Sequence, residues 1–435
     1  MAITSILDTD LYKLTMQQAV HTHFPTESAV YRFTNRTSSD RFSSTSTAAF
    51  RESVSAMGLL RLTKPERAFL EQASPYLKPA YLDYLENEFR FKPEQVHVDF
   101  FKEEERDGEE YGGVEVWTEG TWLETILWEV PLMASLCEAY FDNVDTDWDY
   151  DGQDEIAYKK TKAMLDAGCV FSEFGTRRRR SFKTHDIVVG AAARAAQDYE
   201  KEGGKKGKLV GTSNVYLAMK HKLMPSGTIA HEWFMGVAAL RGYTHGTRAA
   251  LELWESIYPF PLLLTLTDTF SSPIFFKSFT SPPITSKDQA SGSEPYTDAS
   301  LARRWRGLRQ DSGDPFVFAP AAKVMYERVG LTEAEWREKV IVYSDGVSME
   351  KAIKLREHCE EIGFKPMFGI GTNYTNEFMR KSSGGKERSP ALNVVIKLAQ
   401  VGGKPCVKIS DELSKNTGNV EEVRKVKELF GLPTS

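Results

Sequence analysis

Arg309-Gln-Asp311-Ser-Gly-Asp314-Pro315 places two carboxylates three residues apart, directly behind an arginine. Carboxylates at that spacing suit hydrated Mg2+, which takes one or two protein oxygens and completes its shell with water and phosphate; they also suit ribose hydroxyls. The guanidinium of Arg309 has the planar fork that grips a phosphate through two N–H donors. The plainer reading is a turn whose aspartates cap the next helix. Because the segment follows a strand-like run, the site reading is favoured.

Two further segments have the same placement. Phe368-Gly-Ile-Gly-Thr-Asn373 follows one strand-like run and Asp345-Gly346 follows another. Glycines there let backbone approach a phosphate, and the helix that follows offers free N–H donors. Arg177–Arg180 is the densest basic run. Such runs are usually solvated faces or localisation signals, but this one comes right after Phe171–Gly175, so some of its arginines must turn into a site and others away. Pyrophosphate or a pyridine carboxylate is the anion it would take. His231, in Pro225-Ser-Gly-Thr-Ile-Ala-His-Glu-Trp, is on its own residues more readily a structural histidine paired with Glu232. No second His or Cys stands at ligand spacing, which disfavours a metal there.

What must position these groups is a series of short apolar runs beyond about residue 165. They are Cys169–Phe174, Leu209–Thr212, Thr228–His231, Leu262–Thr267, Arg306–Arg309, Val340–Tyr343 and Pro366–Ile370. Helical patterns separate them, so a parallel α/β architecture is expected. Polar residues gather at the C-terminal ends of the runs, including Arg177, Ser213, His231, Asp268, Asp311, Asp345 and Gly371, where a barrel or a doubly wound sheet collects ligands. Ser348 and Thr332, the latter with Glu335, mark helix starts before Met349–Ile362 and Val340. The Ser/Pro/Thr-rich segment Ser271–Ser300 is expected as a long insertion or a mobile loop. Earlier in the chain come a polar stretch (Thr37–Thr47), helical patterning at Pro65–Phe89, an acidic turn (Glu103–Glu110) and an apolar helix-like run (Leu123–Tyr140). After residue 390, Asn393–Leu398, Gly402-Gly403 and Cys406–Ser410 read as strand, turn and strand.

Bulk properties fit this picture. A chain of 435 residues fits two or three domains, and 41% hydrophobic with 27% charged residues allows a sizeable core. Lys plus Arg (55) against Asp plus Glu (61) gives −6, which disfavours a nucleic-acid partner. The apolar stretch at Pro259–Leu266 is too short to span a bilayer, so no membrane partner is expected. The N-terminus has no secretory pattern, and four scattered cysteines read as free thiols. A cytoplasmic address follows, with the nucleus compatible.

Taken together the segments resemble the nicotinate phosphoribosyltransferase family along nearly the whole chain. The motifs are Thr9-Asp-Leu-Tyr-Lys-Leu-Thr15, Phe174-Gly-Thr-Arg-Arg178, Gly211-Thr-Ser-Asn214, Ser226-Gly-Thr-Ile-Ala-His231, Asp268-Thr, Arg309–Pro315, Ser344-Asp-Gly346 and Phe368-Gly-Ile-Gly371. The resemblance implies an N-terminal α/β domain (1–150), an irregular seven-stranded (β/α) barrel with the active site (151–385), and a C-terminal segment (386–435) returning to the first domain. It implies a homodimer in which the Asp10/Tyr12 segment completes the partner's site. The pyridine would stack between Phe174 and the neighbour's Tyr12, with Arg177 holding the base. His231 would be transiently phosphorylated by ATP, with Arg309 and Asp311 the other catalytic groups and Asp311 and Asp314 the Mg2+ ligands. Further substrate contacts are implied at Ser213, Asp268, Asp345 and Gly346, and at Gly369, Gly371, Thr372 and Lys397. The partners implied are nicotinate, phosphoribosyl pyrophosphate and ATP.

The rival within the family is nicotinamide phosphoribosyltransferase. That enzyme benefits from a carboxylate accepting the amide N–H, whereas Ser213 is neutral and can donate to a carboxylate, favouring nicotinate. Quinolinate phosphoribosyltransferases are shorter and lack the histidine segment. A catalytically silent barrel serving as a regulatory module would not need Asp311, Asp314, Arg309 and His231 together. A phosphosugar lyase or aldolase would want a Schiff-base lysine or clustered histidines, and neither is seen.

Overall fold

A computed structural model describes residues 3–434 except 38, 282–299, 413 and 414. The helix Leu11–His23 is followed by β1 (Ser28–Asn35), β2 (Phe42–Ser43), β3 (Val96–Arg106) and β4 (Glu109–Thr121). The polar stretch before residue 47 starts a helix, Ser44–Met57, through a capping box of Ser43 and Ser46. The acidic segment is the tip of the β3–β4 hairpin, where Asp107 and Gly108 both take positive φ (52° and 82°) as a tight primed turn requires. The apolar run after Thr121 becomes Trp122–Thr125, Ile126–Trp128 and Glu129–Asn143, helical and buried almost all round.

The seven short strands are β5 (Val170–Glu173), β6 (Lys208–Thr212), β7 (Met224–Pro225), β8 (Leu264–Leu266), β9 (Gly307–Gln310), β10 (Val340–Tyr343) and β11 (Lys365–Ile370). They pair in the order β7-β6-β5-β11-β10-β9-β8. The order is cyclic in sequence, since the last strand lies beside the first, and this is the connectivity of an α/β barrel. Every residue of β10 is buried, and that explains why so short a run is wholly apolar. The run expected at Thr228–His231 is the exception. The strand there is β7, and Ala230 instead caps a helix that begins at His231 and runs to Arg241. Gly227 (φ 151°) breaks the extended run against the backbone of Tyr12.

Farther on come β12 (Phe378–Met379), β13 (Arg388–Ser389), β14 (Val394–Val401) and β15 (Lys404–Pro405). β14 lies antiparallel to β1, from Asn35 opposite Val394 to Ala29 opposite Val401. The antiparallel sheet runs β15-β14-β1-β4-β2, with β3 on β4. The strand expected at Cys406–Ser410 is not formed: β15 ends before it at Pro405, and within it only Lys408 makes an isolated bridge, to Thr417. Thr332 and Glu335 form the expected capping box, and the helix Met349–Ile362 buries Ala352, Leu355 and Cys359. Ser272–Thr280 is helical, while residues 282–299 of the expected loop lie outside the described residues.

Internal contacts divide the chain into two units. One comprises Met1–Gly227, Gly346–Met349 and Gly369–Gly403; the other comprises Thr228–Asp345, Glu350–Phe368 and Lys404–Ser435. The four cysteines are buried and form no disulfide among the described residues. Among the described residues no helix is long and apolar enough to cross a membrane.

Candidate active site

In the second unit the ends of three strands bring their polar residues together. Asp268 and Thr269 follow β8, Asp311 follows β9, and Ser344 follows β10. His231, the first residue of its helix, is met by residues that follow β8 and β9, while Ser344 reaches Asp311. Its Nδ1 lies 3.0 Å from Thr269 Oγ1, and its Nε2 lies 3.1 Å from Asp311 Oδ2 and 3.6 Å from Asp268 Oδ1. Lys408 Nζ sits 3.0 Å from the same Nε2 and 3.0 Å from Asp268 Oδ2. Thr269, rather than Glu232, therefore orients the ring; adjacent helical residues do not face each other.

Nε2 can donate to Asp311 or accept from Lys408, but not both at once. Burial first, and the Lys408 ammonium second, lower the His231 pKa, outweighing the pull of the two aspartates. The imidazole is thus neutral near pH 7, the form that can accept a phosphoryl group. Burial works to raise Asp311, yet the Arg309 guanidinium, with His231 and Lys408, holds it well below the usual carboxylate range. Arg309 reaches Asp311 Oδ1 at 3.2 Å and Ser344 Oγ at 2.7 Å, and Ser344 donates to Asp311 at 2.5 Å. Ser312 donates to Asp268 Oδ2 at 2.7 Å.

The donor atoms of His231, Asp268 and Asp311 lie within 4.8 Å of one another. Asp268 Oδ1 is buried without a hydrogen-bond partner, so the two aspartates fit a hard cation that completes its shell with water or phosphate. Asp314 stands apart. It is the N-cap of the helix Pro315–Arg328 and accepts from Phe316 N–H at 2.9 Å. Asp345 pairs with Lys415 at 3.0 Å.

The first unit assembles a different set. Asp10, 3% exposed, accepts from Thr176 Oγ1 at 2.6 Å and from Ser213 Oγ at 2.7 Å. Its carboxylate is thus committed within its own chain, and burial raises its pKa despite those two donors and Arg177. Arg177 lies 3.9 Å from Glu129, which also holds the buried Lys13 at 2.5 Å. Burial opposes ionisation of Glu129, but Lys13, Lys397 and Arg177 keep its pKa low. Three cations thus converge on one carboxylate, leaving local positive charge for an anionic ligand. Tyr12, the residue before Lys13, is half-buried.

The glycines expected to admit a phosphate have other neighbours. A side chain at Gly369 would strike the Phe174 ring, and one at Gly371 the Phe174 carbonyl. They let β11 approach Phe174, whose N–H donates to the Ile370 carbonyl at 2.7 Å. Thr372 opens a single turn ending at Thr375. Gly346 takes φ 54° in the turn after β10.

The arginine run divides as expected. Arg179 makes a bidentate pair with Asp8 at 2.7 Å, and both are fully buried. Arg180 stacks on Phe141 and Phe378, with its guanidinium carbon 4.0 Å and 4.3 Å from their ring centres. Arg178 donates to the Val394 carbonyl. Only the Arg177 side chain is substantially exposed, at 42%. Lys408, Thr269, Ser312, Lys13 and Glu129 are site members that sequence reasoning missed. A signal existed for Lys408, a lone cation inside the apolar run Cys406-Val-Lys-Ile.

A histidine, two aspartates and two cations gathered beside these strand ends are suited to phosphoryl and pyrophosphoryl chemistry. The nicotinate phosphoribosyltransferase (NAPRTase) family profile matches residues 169–434, and the profile of that family's N-terminal domain matches residues 7–137. The chain is 40% identical over 432 residues to the nicotinate phosphoribosyltransferase of Saccharomyces cerevisiae, covering 99% of this chain and 95% of that one. It is 39% identical over 449 residues to the enzyme of that name from Methanosarcina mazei, covering 99% and 98%. A crystal structure from S. cerevisiae carrying the same description superposes with a TM-score of 0.88 at 39% identity over 99% of each chain. The chain belongs to the nicotinate phosphoribosyltransferase family and is an enzyme of that kind.

Proposed function

We propose that the enzyme joins nicotinate to the ribose C1 of phosphoribosyl pyrophosphate, a salvage step towards NAD. The pyridine nitrogen forms the new N–C1 bond while the C1–O bond breaks, and its electron pair leaves with pyrophosphate. The nitrogen is already nucleophilic, so no general base is required. ATP drives the reaction by phosphorylating His231; ADP leaves, and water later releases phosphate from the imidazole.

The observation that carries this reading is the His231 environment. Thr269 meets the ring at Nδ1, burial and then Lys408 favour the neutral imidazole, and Asp268 and Asp311 flank Nε2. Bound Mg2+, held by Asp311 and Asp268, would neutralise developing charge on phosphate oxygens. Arg309 would grip a phosphate of the ribosyl donor beside them. In the first unit, Arg177 with Lys13 and Lys397 supplies charge for an anionic base, Phe174 a stacking face, and Ser213 a neutral edge. Tyr12 would serve the partner's site in a homodimer. Nicotinamide is the less favoured base, because its relatives here are named for nicotinate and position 213 holds no carboxylate.

The test is formation of mononucleotide from nicotinate and from nicotinamide, each with phosphoribosyl pyrophosphate, with and without ATP. Preference for nicotinate and stimulation by ATP are expected. A preference for nicotinamide would overturn the assignment.

A further inference from the structure

Glu173 ends β5 with its side chain buried, and no step of the reaction uses it. One carboxylate oxygen accepts the Gly175 N–H. The other accepts from Thr212 Oγ1 at 2.6 Å and lies 2.9 Å from His185 Nε2. Its own carbonyl accepts the Ser213 N–H at 2.8 Å. Gly175 stands between Phe174 and Arg177, and Thr212 directly precedes Ser213. One residue therefore ties the turn that carries Phe174 and Arg177 to the strand end that carries Ser213. A side chain at position 175 would strike both this carboxylate and Thr375, so the tie needs glycine there. His185, from the helix Phe182–Lys201, meets the same carboxylate oxygen as Thr212. Against its burial, His185 and then Thr212 and the Gly175 N–H keep the carboxyl ionised.

A buried carboxylate hydrogen-bonded in this way contributes little stability that apolar residues would not supply, which points to a geometric role. We propose that Glu173 is a positioning residue that sets the spacing between the Phe174–Arg177 turn and Ser213, and thereby the fit of the base. The inference rests on the assignment of the base to Phe174, Arg177 and Ser213. Glu173 touches no substrate and acts only through those neighbours.

Glu173→Ala, Glu173→Gln and Thr212→Val would be compared for KM of nicotinate, KM of phosphoribosyl pyrophosphate and labelling by γ-labelled ATP. Glu173→Ala should raise the nicotinate KM by about tenfold or more, since small misplacements of binding groups are costly. Glu173→Gln keeps an acceptor for Gly175 N–H and Thr212→Val loses one tie, so each should give a smaller rise. The phosphoribosyl pyrophosphate KM and the labelling should stay unchanged in all three. A parallel change in both KM values and in labelling would make Glu173 a general fold stabiliser and overturn the inference. So would an unchanged nicotinate KM in Glu173→Gln and Thr212→Val, which decide the matter if Glu173→Ala fails to fold. Arg177→Ala and Ser213→Ala separate the two levels. If they leave nicotinate KM unchanged the base assignment fails; if they raise it while the Glu173 set does not, only this inference fails.

Discussion

The ammonium of Lys408 lies 3.0 Å from Nε2 of His231, so a fixed positive charge abuts the nitrogen that faces Asp311 and Asp268. With burial it depresses the histidine pKa. Lys408→Met should therefore raise that pKa. Since the neutral ring accepts the phosphoryl group, acid loss of labelling by γ-labelled ATP should set in at higher pH in the variant. His231→Asn should incorporate no label yet keep slow, ATP-independent synthesis. The label should be acid-labile and base-stable. An unshifted pH profile for Lys408→Met, or an acid-stable label, counts against this arrangement.

Arg309 and Asp311 are bonded to each other and to Ser344, but they should fail differently. Arg309→Ala should raise the KM for phosphoribosyl pyrophosphate by about tenfold, the scale of a lost charge-assisted contact. Asp311→Asn should mainly lower kcat. Wild-type kinetics in both would reduce the segment to a turn.

Base choice is tested at Ser213. A carboxylate there would repel nicotinate and would also lie against Asp10, which now accepts the serine hydroxyl at 2.7 Å. Ser213→Asp should lower kcat/KM for nicotinate by about tenfold and narrow its advantage over nicotinamide. Equal use of both bases by the wild-type enzyme removes the premise.

Asp10 should cost the fold something at neutral pH, because burial raises its pKa above the ordinary 3.8. The unfolded chain ionises more readily, so the penalty exists above the folded pKa and vanishes below about 3.8, where both states are protonated. Asp10→Asn, which still accepts from Thr176 and Ser213, should raise Tm at pH 7 and lose that gain on acidification. A lower Tm at pH 7 would contradict the sign.

Sharing of sites between subunits has its own test. Tyr12→Ala and His231→Ala, each without ATP-driven synthesis, should regain part of it when mixed and allowed to exchange, because one site of the mixed dimer is intact. Demonstrated exchange without recovery would place Tyr12 in its own subunit's chemistry.

The strands were legible because four or five consecutive apolar residues with polar ends can only be buried between helices; β10 matches its expected limits residue for residue. Thr228–Ala230 misled because Ile229 and Ala230 look like the same pattern, while the decisive event is the turn at Gly227 against Tyr12, about 215 positions away in sequence. His231 looked bland for a related reason. Its partners Thr269, Asp311 and Lys408 come from distant segments, and only the folded chain brings them within hydrogen-bonding distance. Asp314 is the opposite case: spacing groups it with Asp311, while in the fold one of its carboxylate oxygens caps the helix it begins.

The arginine run also bears on how other molecules would treat this chain. A nuclear-import receptor binds basic residues in an extended peptide, and trypsin needs an arginine threaded through its cleft. Here Arg179 is locked to Asp8, Arg180 lies among aromatic rings and Arg178 is largely buried, so the native surface offers mainly Arg177. The cleavage sites at Arg178, Arg179 and Arg180 should survive limited trypsin digestion until the domain opens. For the same reason the run would serve as an address label only in an unfolded chain.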